Sequence, residues 1–126
     1  MAEDERKRVL IVEDEPATAD LFGLILQIHG YEFQKTYGTR QAIEAMNRYE
    51  PDAVILDVMM PDLSGLEFCR YVRRDPRLEH IPIIIVSAKS FPEDVEEGMA
   101  AGATAYLPKP VTQESLIRAL SDALAT

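Results

Sequence analysis

At 126 residues the chain has the length of one domain, and its 47% hydrophobic and 28% charged residues can build a core without disulfides or structural metal. Twenty-two acidic residues against 13 basic ones leave a formal charge of −9, which sets the surface against nucleic-acid backbones and anionic membranes. A single cysteine, Cys69, excludes an internal disulfide and fits a reducing cytoplasm.

Residues 1–7 read as a charged tail with no apolar core, so not as a signal peptide, and residues 8–126 as the domain proper. No apolar run approaches the roughly 20 residues that span a bilayer. Val9-Leu10-Ile11-Val12 is a continuous apolar run, suited to a strand buried on both faces, and Glu13, Asp14 and Glu15 follow it. Ala17, Leu21, Leu24, Ile25 and Ile28 then recur at the spacing of an amphipathic helix, with Gly30 placed to cap its end. Residues 31–37 alternate less cleanly and carry Glu32, Gln34 and Lys35, which suggests an edge strand. Ala42, Met46 and Tyr49 mark a second helix, which Pro51 must follow rather than join.

Ala53-Val54-Ile55-Leu56 is a third strand, ending in Asp57. Ser64-Gly65-Leu66-Glu67 is a capping box opening a third helix. Cys69 lies within it between apolar neighbours, as a buried structural thiol would. Arg70, Arg73, Arg74 and Arg77 read as the basic end of that helix, favoured by its dipole, rather than as a nucleic-acid patch. Ile83-Ile84-Ile85-Val86 is a fourth strand, ending in Ser87. Ser90-Phe91-Pro92-Glu93 repeats the helix-start signature, and Glu93, Asp94, Glu96 and Glu97 make the next helix acidic, as a solvated face or a docking face. Residues 103–107 form a short last strand before Lys109-Pro110. Thr112 can cap a final helix with Leu116, Leu120 and Leu124 on one face. His29 and His80 have no second ligand at metal spacing and read as structural or exposed.

The order is strand-helix repeated five times. Right-handed crossovers make such a chain an α/β domain with a parallel sheet covered on both faces, and no linker or second domain is evident. The informative polar residues all follow strands: the acids after the first, Asp57 after the third, Ser87 at the end of the fourth, Lys109 after the fifth. In a parallel sheet these points share the carboxyl edge, where ligands bind. Glu13, Asp14 and Asp57 crowded there would repel by roughly 1–4 kcal/mol per close pair. A hard divalent cation with oxygen ligands offsets that, and so does Lys109. One carboxylate is then free to act as a nucleophile toward phosphorus.

The motifs resemble the receiver domains of bacterial response regulators, the chemotaxis-regulator-like switches of two-component signalling. The resemblance runs from about Arg8 to Ala125. It rests on Val9-Leu10-Ile11-Val12-Glu13-Asp14-Glu15-Pro16, on residues 52–61 around Asp57, on Gly65, on Pro82 to Ala88, on Gly102-Ala103, and on Tyr106-Leu107-Pro108-Lys109-Pro110. It implies a flavodoxin-like doubly wound (βα)5 fold with strand order 2-1-3-4-5, which places Asp14 and Asp57 opposite each other.

It also implies roles. Asp57 is the phosphoacceptor. Asp14, Asp57 and the Met59 carbonyl bind Mg²⁺ (with Mn²⁺ a substitute), and Glu13 helps through a water. Lys109 and Ser87 contact the phosphoryl group. Tyr106 turns inward when Ser87 moves. Met59 and Lys89 flank the acceptor at variable positions and modulate it, and the Lys109-Pro110 bond is cis. The donor is a phosphohistidine on a sensor histidine kinase or a histidine phosphotransfer protein. Output goes to a protein effector through the fourth helix, fifth strand and fifth helix, without direct nucleic-acid contact or membrane insertion, and a homodimer on activation is open. Phe22 falls either on a donor-facing flank of the first helix or in the core. The protein is then no turnover enzyme: it catalyses only its own phosphorylation and slow dephosphorylation.

Three other readings compete. A degenerate receiver that binds partners without phosphate would lack an acid, hydroxyl or lysine, and none is missing. A haloacid-dehalogenase-type phosphatase needs a general acid two positions after its nucleophile, where this chain has Met59. A flavin binder needs a hydroxyl- or glycine-rich phosphate loop after the first strand, where this chain has Glu13-Asp14-Glu15-Pro16.

Overall fold

The computed structural model describes residues 6–60 and 64–125. Most of the expected tail, residues 1–5, and Pro61 of the acceptor motif lie outside the described residues. The elements alternate as β1 (Arg8–Val12), α1 (Pro16–Ile28), β2 (Glu32–Thr36), α2 (Thr39–Arg48), β3 (Ala53–Leu56), α3 (Gly65–Arg74), β4 (Ile83–Ser87), α4 (Pro92–Ala100), β5 (Ala105–Pro108) and α5 (Gln113–Leu124). The five strands pair in parallel in the order β2-β1-β3-β4-β5, the doubly wound order expected. None of the described helices is long and apolar enough to cross a membrane.

Alternation along each strand divides the core in two. Leu10, Val12, Val54, Leu56, Ile83 and Ile85 point into the layer completed by Met46, Phe68, Cys69 and Val72 of α2 and α3. Val9, Ile11, Ala53, Ile55, Ile84 and Val86 point the other way, against Phe22 and Leu26 of α1 and Leu116 and Leu120 of α5. Strands buried on both faces have no polar side to show, which is why β1, β3 and β4 read as unbroken apolar runs.

The first helix corrects the expected face. Ala19, Phe22, Ile25 and Leu26 are the buried residues, whereas Leu21, Leu24 and Ile28 are exposed. So Phe22 is a core residue. Apolar residues occur on every side of this helix, and its periodicity therefore does not set its phase. What does is β2: a Cβ on Gly23 would stand 2.7 Å from the Phe33 ring, so only that side of the helix can approach the strand so closely.

Smaller corrections follow from local bonding. The fifth strand begins at Ala105 rather than at residue 103, because Gly102 turns the chain with φ +114°. The cap of α4 is Phe91 rather than Ser90, and the Asp94 carboxylate accepts its backbone N–H at 3.0 Å. Ser64 caps α3 through the Leu66 N–H at 3.1 Å, but Glu67 turns to Arg70 instead of closing the box. Thr112 caps α5 as expected. Two of these arginines are tied into the fold: Arg73 donates to the carbonyls of Gly102, Glu79 and Ile81, and Arg77 pairs with Asp75. Cys69 is fully buried, and burial raises its thiol pKa. His29 and His80 are exposed.

Candidate functional site

Strand register places the acids. Val12 pairs with Leu56, so the next residue on each strand, Glu13 and Asp57, emerge side by side at the carboxyl edge. Their backbones are tied down: Asp57 N–H donates to the Val12 carbonyl at 3.0 Å, and Glu13 N–H to the Thr36 carbonyl at 3.0 Å. On the other side Ser87 pairs with Pro108, which delivers Lys109 one residue further on. The Lys109–Pro110 peptide is cis.

Lys109 Nζ sits between two carboxylates, 2.9 Å from Glu13 Oε1 and 3.0 Å from Asp57 Oδ2. The other Asp57 oxygen, Oδ1, accepts the Met59 N–H at 3.0 Å. Glu13 Oε2 accepts the Glu15 N–H at 3.2 Å. Glu13 and Asp57 are buried, while Asp14 is exposed at the mouth.

Electrostatics follow from this packing. Burial raises the Glu13 pKa, against the opposing pull of Lys109 and the Glu15 amide. Burial also works against the Lys109 charge, but its hydrogen bonds to two carboxylates outweigh it, and its pKa rises. The ion pair favours both charges; burial outweighs it at Glu13, whereas at Lys109 two carboxylates outweigh burial.

Oxygens of Glu13, Asp14 and Asp57 lie within 4.8 Å of one another. All are hard carboxylate donors at one point, with Asp14 open to solvent. That donor set fits a small divalent cation and lacks the soft ligands that select zinc or copper.

The remaining expected residues gather around this centre. Ser87 is fully buried, and its Oγ accepts the Lys89 N–H at 3.1 Å. The half-buried Tyr106 donates its hydroxyl to the Lys89 carbonyl. The Lys89 side chain reaches out to Asp94, at 3.8 Å. Met59 is 55% exposed beside Asp57, in a cavity of about 600 Å³ shared with Asp14, Met60, Ser64, Leu66 and Lys89. A second groove, of about 440 Å³, runs from Lys109 and Pro110 to Thr18 and Leu21 of α1.

Two supports were missed by sequence reasoning. Thr36 is fully buried at the end of an otherwise polar edge strand, and its Oγ1 donates to the Ile11 carbonyl at 2.7 Å, pinning the strand that carries Glu13. Gly65 packs under Asp57: a Cβ there would lie 2.5 Å from Val58 Cα and 2.8 Å from the Asp57 carbonyl oxygen. The glycine was visible in the motif, but nothing in the sequence says that its hydrogen touches backbone.

Comparison with known proteins agrees with this fold. The family described as response regulator receiver domain matches residues 9–121. The polar-differentiation response regulator DivK of Brucella ovis is 32% identical over 118 residues, covering 94% of this chain and 96% of DivK. Among solved structures, the chemotaxis response regulator CheY4 of Vibrio cholerae superposes with a TM-score of 0.88 at 32% identity, covering 94% of this chain and 98% of that one. The signal receiver domain of a signal transduction histidine kinase from Syntrophus aciditrophicus gives 0.88 at 32% identity, covering 94% and 90%.

Proposed function

The chain belongs to the response regulator receiver domain family of two-component signalling, and from that premise we propose that it is a phosphoacceptor switch charged on Asp57. The observation that carries this reading is the Asp57 carboxylate itself. It is buried within 4.8 Å of the Glu13 and Asp14 oxygens, with one oxygen on the Met59 amide and the other on the Lys109 ammonium.

In the proposed step an Asp57 oxygen attacks the phosphorus of a phosphohistidine. An acyl phosphate bond forms, the P–N bond breaks, and the imidazole leaves with the electron pair. Glu13, Asp14, Asp57 and the Met59 carbonyl would hold Mg²⁺, which neutralises phosphoryl charge when bound (Mn²⁺ serving in its place). The protein's own residues do the rest. Lys109 turns from carboxylate to phosphoryl oxygen and offsets the added −1.5 to −2 charges or so. Ser87 exchanges the Lys89 amide for a phosphoryl oxygen, and the Tyr106–Lys89 contact is remade with it. The face of α4, β5 and α5 then differs between states, and an effector that prefers one state shifts the balance.

The donor would be a sensor histidine kinase or a histidine phosphotransfer protein. Exposed Leu21, Leu24 and Ile28 give α1 an apolar face, and Leu21 continues it into the groove leading to Lys109. The protein would not turn over outside substrates. It would act in the cytoplasm, where its donor's phosphohistidine is made.

The test is intact mass after incubation with acetyl phosphate, with and without Mg²⁺. One phosphoryl group gained by the parent, lost in Asp57→Asn and lost without Mg²⁺, is the expected result. No gain by folded protein would favour a degenerate receiver that binds its partners unphosphorylated.

A further inference from the structure

Glycine inside a helix is destabilising relative to alanine, so an interior glycine calls for a packing reason. Gly98 lies within α4 and is buried. A Cβ built on it would stand 2.7 Å from both Cδ2 and Cε2 of the Tyr106 ring, and 3.2 Å from Ile85 Cδ1. The isoleucine methyl is the end of a flexible chain and can yield. The ring cannot yield in place: its two offending atoms lie along one rigid edge, and its far end is engaged. The Tyr106 hydroxyl donates to the Lys89 carbonyl, and the Lys89 N–H donates to Ser87 Oγ at 3.1 Å. One residue of the β4–α4 loop is thus held from both sides, by a tyrosine that leans on α4 and by a buried serine at the strand end.

We infer that Gly98 is a positioning residue for Tyr106: the absent side chain at 98 lets the ring seat against α4 and reach Lys89, and so couples α4 to the Ser87–Lys89 loop. Any larger residue must move the ring or the helix, and either movement strains the contact with Lys89. The size of residue 98 then sets how firmly the loop is held at rest. The packing relation stands on geometry alone; its bearing on signalling rests on the function proposed for Ser87.

Thermal unfolding of four full-length proteins tests the packing: the parent, Gly98→Ala, Tyr106→Ala and the double variant. Gly98→Ala should lower Tm in the parent, although alanine is the better helix former. In the Tyr106→Ala background the same substitution should raise Tm by roughly 3 °C, the size of the unopposed propensity gain. A change of the same sign in both backgrounds overturns the inference.

The coupling has its own readout, which a merely structural role would not move. Tyr106→Phe removes only the hydroxyl, so its effect on the Lys89 carbonyl ¹³C shift marks a broken contact. The Lys89 shift of Gly98→Ala should move toward the Tyr106→Phe value; a shift unchanged from the parent overturns the coupling. Neither measurement requires phosphorylation. A protein that takes no phosphoryl group would therefore sink the proposed function and leave this test intact.

Discussion

Lys109 is the only side chain that touches both buried acids among the hydrogen bonds of the described residues, and it makes the site tolerable without a cation. A cation held by these acids would bind the folded chain only, because β1 and β3 must pair before the carboxylates meet, and so it should stabilise the fold. Mg²⁺ at a hundredfold excess over its Kd should add about 2.7 kcal/mol. Asp14→Asn, at the exposed carboxylate, should lose most of that gain while leaving the metal-free Tm near the parent value. Thermal melts across a Mg²⁺ series read both quantities, and equal Mg²⁺ shifts in the two proteins would remove Asp14 from the ligand set. Met59 would bear on the lifetime of the proposed acyl phosphate. Its exposed apolar side chain beside the acceptor should hinder a water from approaching in line with the acyl phosphate. Met59→Asn should then lose phosphate severalfold faster, measured as decay of the phosphorylated mass, and an unchanged decay would refute the shielding role.

The phase of α1 can be tested at the scale of the helix. Phe22 is 3% exposed and Leu24 is 55% exposed. Phe22→Ala should cost about 3–5 kcal/mol, and Leu24→Ala no more than about 0.5. Urea titration separates them, and similar costs would contradict this packing. The helix also shows where sequence reading stops. Continuous apolar runs located β1, β3 and β4 because a strand buried on both faces needs no phase. The caps of α3 and α5 were legible because Ser64 and Thr112 bond within three residues of themselves. A helix with apolar residues on every side is phased by its neighbour instead, here by Phe33 against Gly23. The acids, Ser87 and Lys109 were legible as polar residues ending apolar strands. The support from Thr36 depends on contact between distant segments, as does Arg73, which a list of arginines shows only as charge, and Gly65 depends on how its loop folds back on Asp57 and Val58.

At the scale of the molecule, the sheet joins two separate core layers, and the last strand and helix complete one of them. Leu116 and Leu120 of α5 are fully buried against the face that carries Ile84 and Val86. Removing residues 105–126 should therefore abolish cooperative unfolding, not merely activity. A circular-dichroism melt of the shortened chain checks this; a sharp transition would show that four strands suffice.

The bridge made by Lys109 also has a history within each molecule. It closes on partners 96 and 52 positions earlier in the chain. A ribosome releases both carboxylates well before the cation that quiets them. Until the fifth strand is laid down, the central strands bring like charges together with no lysine between them. Pairing of β1 with β3 in an incomplete chain is therefore opposed by that repulsion, and completing β5 relieves it.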